Sequence, residues 1–189
     1  MEHAIRAIRA DEWEKARDLR LAALQDPVAH LAFLETYEQA ADRSDDFWRE
    51  RASSAAEGVR VKQFIAEAAD GRWDGTVTVL VERPGEEARF GEQATVEQTH
   101  LVAVFVRPDA RGHGLADELF RAAVDWSWSL DDPRIKRVRL YVHEDNVRAE
   151  AFYRRIGFVP SGGKSPVPGD DTAMEVEYEL PRGGGLSSR

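Results

Sequence analysis

Between residues 104 and 120 the chain reads VFVRPDARGHGLADELF: an apolar run, a proline, an arginine, two glycines, then the spaced apolar residues of a helix. A helix N-terminus carries unpaired N–H groups and a partial positive charge, which suits it to phosphate. Gly112 and Gly114 let backbone approach a ligand with no Cβ in the way, Arg111 adds a fork of charged donors, and His113 can face solvent. A P-loop would need Lys and then Ser or Thr after its last glycine, but Leu115 and Ala116 follow. A dinucleotide fingerprint would need a third glycine where Asp117 stands. Two readings remain for the turn alone: a diphosphate cradle, or a tight strand-to-helix turn that binds nothing.

A second stretch, DNVRAEAFYRRIGFVPSG, contains Asn146, Ala149, Phe152, Tyr153, Gly157 and Phe158 in the pattern N-x-x-A-x-x-[LF]-Y-x-x-x-G-F. Upstream, residues 111–116 read R-x-x-G-x-A. The two motifs, in this order and about one strand and one helix apart, resemble the GNAT N-acetyltransferase superfamily. The resemblance covers residues 96–158 well and the opening strand and helix loosely. It fades over residues 84–95 and beyond Pro160.

The resemblance implies acetyl-CoA as acyl donor and an N-acetyltransferase that acts by direct transfer. An amine lone pair attacks the thioester, a tetrahedral intermediate forms, and the thiolate of CoA leaves. Backbone groups of Val104, Phe105 and Val106 would pair with the pantetheine arm like a neighbouring strand. The diphosphate would rest on Arg111, Gly112, His113, Gly114, Leu115 and Ala116. Asn146 would hydrogen-bond near the pantetheine, and it can equally cap its helix. Phe152 would pack on the cofactor or in the core. Tyr153 stands where the family places its general acid; a phenol suits a thiolate leaving group, because its ordinary pKa near 10 is not far above a thiol's. A buried tyrosine held by backbone is the competing reading.

An attacking amine must be neutral, so a base is needed. Several members of the family place Glu or His on the central strand eleven positions before the glycine motif, which here is His100. Strict alternation would put His100 on one face with Val102, Val104 and Val106. Glu97, Glu82, His143 and a water chain are the other candidates, and a satisfied sheet histidine is the bland one. The acceptor would lie near residues 27–51 and 161–171. There Phe33, Tyr37, Phe47 and Trp48 stand among Glu35, Glu38, Asp42, Asp45 and Asp46, which would suit a cationic small amine, though helical amphipathicity explains the same pattern. Asp170 and Asp171 read as acceptor carboxylates or a solvated turn. A protein N-terminus or lysine is the alternative acceptor, and an acyl-CoA-binding sensor without transfer is the alternative outside catalysis.

The bulk composition suits one compact domain. The chain has 189 residues and no cysteine, which excludes disulfides, thiolate metal sites and a Cys nucleophile. No metal is expected. A net charge of −9 disfavours sequence-independent nucleic-acid binding, and no apolar run approaches membrane length. The opening MEHAIRAIRADEWEK has no apolar leader region, so the cytoplasm is the expected compartment. A homodimer stays open.

The elements that must position these residues can be read from periodicity and breakers. Residues 3–10 form a first strand, and Asp11 with Glu14 reads as a capping box for a helix that Pro27 ends. AHLAFLETYEQAAD reads as a second helical piece, and DDFWRERASSAA after Ser44 as a third. Residues 59–66 and 76–82 read as a hairpin around ADGRWDG, and RPGEEARFGEQA as a polar loop. Residues 96–107 are the longest strand signal, closed by Pro108; a helix at 115–130 and a strand at 136–143 follow. A helix from Asp145 or Asn146 stops at Gly157, PSGGKSPVPGDD reads as a long loop, and residues 172–180 as the last strand. The fold class is mixed α/β (α+β) with one parallel β-α-β unit; the resemblance adds a mostly antiparallel central sheet flanked by helices and a splayed CoA cleft. Residues 1–180 form one acetyltransferase domain in this reading, and 181–189 a flexible tail.

Overall fold

The computed structural model describes residues 2–187. Its seven strands form one sheet: β1 (His3–Ala7), β2 (Val61–Ala68), β3 (Trp73–Glu82), β4 (Gln98–Val106), β5 (Arg137–His143), β6 (Val159–Val167) and β7 (Asp170–Pro181). The spatial order is β1-β2-β3-β4-β5-β7-β6. Only β4 and β5 run parallel; every other neighbouring pair is antiparallel. That is the mostly antiparallel sheet with one parallel unit expected from the sequence.

Helices cover both faces. On one side lie α5 (Leu115–Ser129) and α6 (Val147–Ile156); on the other, α1 (Trp13–Leu24), the short α2 (Ala29–Ala32) and α3 (Tyr37–Ala41), and α4 (Asp45–Glu57). Leu119, Phe120 and Ala123 of α5 pack with Val77, Val79, Val138, Leu140 and Phe158 in the larger core. Leu19 of α1 and Ala52 and Ala55 of α4 pack with Ile65, Trp73 and Phe105 opposite. Each large apolar side chain buried here contributes about 1.5–3 kcal/mol. With helices on both faces, β3 is buried along its whole length.

The middle of β4 is irregular, and this changes which residues share a face. Thr76 pairs with Phe105 and Thr78 with Val102, so β4 spends one residue more than β3 over this stretch. The extra residue sits at the positive φ of Ala103, 52°, a conformation that costs an L-residue on the order of 1 kcal/mol. Before the bulge, Thr99 and Leu101 face α5: the Thr99 hydroxyl lies 2.8 Å from that of Ser127. After it, Val104 and Val106 face that core and Phe105 faces α1 and α4. His100 therefore does not share a face with Val104 and Val106; simple alternation fails at the inserted residue.

Four local expectations also need correction. The first helix is not capped at Asp11: a 3₁₀ turn, Ala10–Glu12, precedes α1, and Glu12 Oε2 accepts from the Arg9 N–H at 2.9 Å. AHLAFLETYEQAAD is two helices, broken at extended Phe33; the second is boxed by Thr36 Oγ1 accepting from Gln39 N at 3.2 Å and Gln39 Oε1 accepting from Thr36 N at 2.9 Å. Trp73, Asp74 and Gly75 belong to β3 rather than to the hairpin turn. PSGGKSPVPGDD is not a loop but most of β6 and its turn into β7. Its prolines and glycines hide the strand, yet β6 is the sheet edge with two register shifts, where Pro is tolerated.

Of the expected tail, residues 188–189 lie outside the described residues. Before them, Ser187 N donates to Ile156 O at 2.9 Å and Leu186 packs on the larger core.

Candidate active site

Strands β4 and β5 pair at only three positions, Gln98 with Arg137, Thr99 with Val138 and His100 with Arg139. Beyond His100 they separate, so β4 presents backbone groups on that side with no strand beside them. An extended chain could pair there as a strand would. A cavity of 680 Å³ opens at the split. His100, Val102, Ala103 and Val104 of β4 line it, together with Asn146 and Tyr153 of the α6 segment.

Tyr153 is buried in an aromatic cluster, its ring centroid 5.6 Å from those of Phe120 and Phe152. Its hydroxyl has no hydrogen-bond partner among the described residues. Burial pushes its pKa up to about 12, so the phenol keeps its proton through neutral pH. Phe152 meets Phe120 edge-on at 5.2 Å and belongs to the core packing. Asn146 caps α6, its Oδ1 accepting from Ala149 N at 3.2 Å, and it also borders the cavity. Gly157 ends the helix at φ 111°, which explains a glycine there.

His100 is buried with its Nδ1 2.8 Å from Glu82 Oε1. Burial pushes the Glu82 carboxyl up, but His100, Gln98 and Arg139 outweigh it, leaving the carboxylate below its ordinary range. An ionised Glu82 requires a donor opposite, so Nδ1 carries the ring proton and Nε2 keeps its lone pair. Burial outweighs Glu82 in holding His100 below its ordinary value of 6.5, and the neutral ring prevails at pH 7. Glu82, Glu97 and His143 do not line the cavity. His143 Nδ1 accepts from Asp145 N at 3.1 Å, and Glu97 Oε2 is buried without a partner among the described residues.

The Glu82–His100 pair rests on a buried polar network. Arg139, fully buried, reaches Glu82 Oε2 at 2.6 Å, Glu177 Oε2 at 2.9 Å and the Glu92 carbonyl at 2.7 Å. Burial pushes Glu177 up, but the Ser161 hydroxyl, Arg139 and Arg137 hold it at about 2. Sequence reading missed this network, because arginine and glutamate on strands look like solvent-facing residues until both faces of the sheet are covered.

The glycine turn stands outside that cavity, at the N-terminus of α5. Gly112 and Gly114 adopt φ 84° and 85°, so the backbone path itself calls for glycine. A Cβ on Gly112 would meet nothing within 4 Å. His113 is exposed, Leu115 is buried, and Ala116 lies between. Arg111 is not a free fork: its Nε donates to Val106 O at 2.9 Å, and its guanidinium pairs with Asp26. It ties the end of β4 to the loop after α1. Asp117, in the first turn of α5, is bridged by Arg155 at 2.8 Å.

Of the residues expected near the acceptor, Phe33, Phe47 and Glu35 line the cavity, whereas Tyr37, Glu38, Asp42, Asp45, Asp46 and Trp48 do not. Trp48 is core, and Asp45 and Asp46 face Arg17 and Arg49 at 3.4 and 3.0 Å. Asp170, at the start of β7, accepts from the N–H and hydroxyl of Thr172. Four arginines, Arg20, Arg43, Arg51 and Arg89, border the cavity, as does Glu175 of β7, whose carboxyl is pushed up by burial. Neither the arginines nor Glu175 carried a sequence motif.

Comparison with known proteins agrees with this geometry. The acetyltransferase (GNAT) family model matches residues 13–158. A mycothiol acetyltransferase of Saccharomonospora viridis is 38% identical over 95 residues, which cover 50% of this chain and 29% of that protein. The chain thus matches well under two thirds of the length of that relative. Among solved structures, NAA60 of Arabidopsis thaliana in complex with a bisubstrate analogue superposes with a TM-score of 0.67 at 16% identity, covering 97% of this chain and 100% of that one. The PaiA N-acetyltransferase of Thermoplasma acidophilum in complex with coenzyme A gives 0.67 at 16% identity, covering 95% and 100%. At such identities these two structures speak for the fold. Among the described residues no helix is long and apolar enough to cross a membrane, and no cluster of His, Cys, Asp and Glu suits a metal ion.

Proposed function

Because the chain belongs to the acetyltransferase (GNAT) family, we propose that it transfers an acetyl group from acetyl-CoA to the primary amine of a small molecule, within a ternary complex. The observation that carries this reading is the single cavity in which the unpaired edge of β4, the protonated hydroxyl-bearing ring of Tyr153 and the neutral ring of His100 meet. Acetyl-CoA supplies the activated acyl group.

The chain's own residues have distinct tasks. Backbone groups of Val104, Phe105 and Val106 on the open side of β4 hold the pantetheine arm as a further strand. The turn from Arg111 to Ala116 faces the diphosphate, with the unpaired N–H groups of the α5 N-terminus at its end. Arg111 acts there as a strut rather than a ligand, since Val106 O and Asp26 already engage it. His100 Nε2 takes the proton from the acceptor amine while Glu82 fixes the ring. Tyr153 donates its proton to the departing sulfur, and the high pKa given by burial keeps that proton available at neutral pH.

A cavity walled by α2, α4 and the β3–β4 loop favours a small acceptor over a folded protein surface. The test is CoA release measured with a panel of small amines and of peptides bearing free N-termini or lysines. Turnover confined to small amines supports the reading. Turnover confined to peptides transfers it to protein acetylation, and CoA-stabilised protein with no turnover at all makes the chain a sensor.

A further inference from the structure

The arginines of the cavity are not equally engaged. Arg20 and Arg43 share Glu35, at 3.1 and 3.6 Å. Arg51 on α4 and Arg89 on the β3–β4 loop form no hydrogen bond or ion pair among the described residues. Arg51 has only the Trp48 ring, 5.9 Å from its guanidinium carbon. Arg51 and Arg89 both border the cavity and are exposed to solvent, Arg51 with wall atoms packed around its stem. Enclosure and the neighbouring Arg20, Arg89 and Arg43 lower its pKa to about 10, and Glu35 only partly offsets them. The guanidinium thus stays charged at pH 7, among other cations and without a counter-charge of its own. Glu50, its neighbour on α4, also borders the cavity but forms no ion pair with it; adjacent helical side chains point about 100° apart.

Carboxylates that could neutralise Arg51 and Arg89 are thus spent or misplaced. Glu35 serves the other two arginines, and Glu175, on β7, forms no ion pair with Arg51 or Arg89 among the described residues. Leu31, Phe33, Leu34, Phe47, Leu80 and Phe90 give the cavity apolar surface beside these two cations. A guanidinium matches the planar fork of a carboxylate or the oxygens of a phosphate.

We propose that Arg51 and Arg89 form an anion-binding subsite in the acceptor pocket, so that the accepted amine carries a carboxylate or phosphate group. The subsite rests on the acetyltransferase reading for the amine's fate, but anion binding itself does not need turnover. It departs from the cationic acceptor that the acidic residues of α3 and α4 and the turn between them suggest, since Glu38, Asp42, Asp45 and Asp46 lie outside this cavity.

The test compares butylamine, 1,4-diaminobutane, 4-aminobutanoate and aminoethyl phosphate as acceptors, with wild type, Arg51→Gln, Arg89→Gln and the double variant. In wild type, kcat/KM for an anionic amine exceeds that for butylamine on the order of 10²-fold, the size of one or two charge-assisted hydrogen bonds. The double variant brings that ratio close to unity. Which anionic amine leads separates carboxylate from phosphate. A wild type that prefers 1,4-diaminobutane, or a ratio unchanged in the double variant, overturns the proposal. Calorimetry with aminoethyl phosphate and 4-aminobutanoate provides a readout independent of chemistry. Binding that the double variant loses supports the subsite even if no acetyl transfer occurs, and absence of binding by both compounds together with no anionic preference overturns it. Arg51→Lys, which keeps the charge without the fork, should retain part of the preference, and a melting curve for each variant confirms its fold.

Discussion

His100 Nδ1, on the cavity wall, and Glu82 Oε1, behind it, lie 2.8 Å apart in a buried pair, which leaves Nε2 with its lone pair. Were His100 the base, activity would need its neutral form. Burial holds its pKa below 6.5, so the acidic limb of the pH–rate profile lies below that value. His100→Gln should remove that limb and lower the rate on the order of 10²-fold, with CoA affinity unchanged. A folded variant that keeps both limb and rate moves the base to Glu175.

The same pair makes stability acid-sensitive. The unfolded state takes up a proton at the ordinary His pKa while the folded state resists, so the unfolded chain binds more protons and stability falls as pH drops below 6.5. Glu177 acts in the same direction lower down: its carboxyl is held at about 2, so its contribution is present above pH 4.5 and is lost as pH falls toward 2. Urea titrations between pH 8 and pH 4 should show a declining midpoint, less steep in His100→Gln. A flat midpoint would contradict the assignment.

Arg139→Leu should cost about 3–5 kcal/mol, because it strands Glu82 and Glu177 in the sheet without their shared cation. Chemical denaturation measures this directly. A loss under about 1 kcal/mol would mean that the two carboxylates find water or protons instead.

Gly114→Val tests the α5 turn. The φ of 85° is strained for any L-residue, at about 1–3 kcal/mol, so some loss of stability is expected even without ligand. Calorimetry on the folded fraction should also show weakened CoA binding, since the branched side chain crowds the helix N-terminus. Stability lost with CoA affinity intact would return the turn to a purely structural role.

Much of this architecture was legible from local signals. Pro108 and the Gly157 stop marked element ends that the structure keeps, because each acts through its own backbone. The β4 bulge was not legible: Ala103 carries no mark of a positive φ, and only the pairing of Thr76 and Thr78 across the sheet reveals it. Strand β6 was hidden for the opposite reason, since its prolines and glycines signal a loop while its edge position tolerates them. For the site, the two motifs located the Tyr153 wall and the glycine turn. The arginines that border the acceptor cavity come from α1, α3–α4 and the β3–β4 loop, and only the fold brings them together.

The central claim, acetyl transfer in this cavity with Tyr153 as proton donor, is most directly tested by CoA release from Tyr153→Phe with the best acceptor found for wild type. The variant keeps the ring and its packing against Phe120 but loses the hydroxyl. The account predicts kcat lower on the order of 10²-fold, with CoA affinity and melting temperature close to wild type. A variant that releases CoA at the wild-type rate would contradict it, and the leaving thiolate would then take its proton from elsewhere.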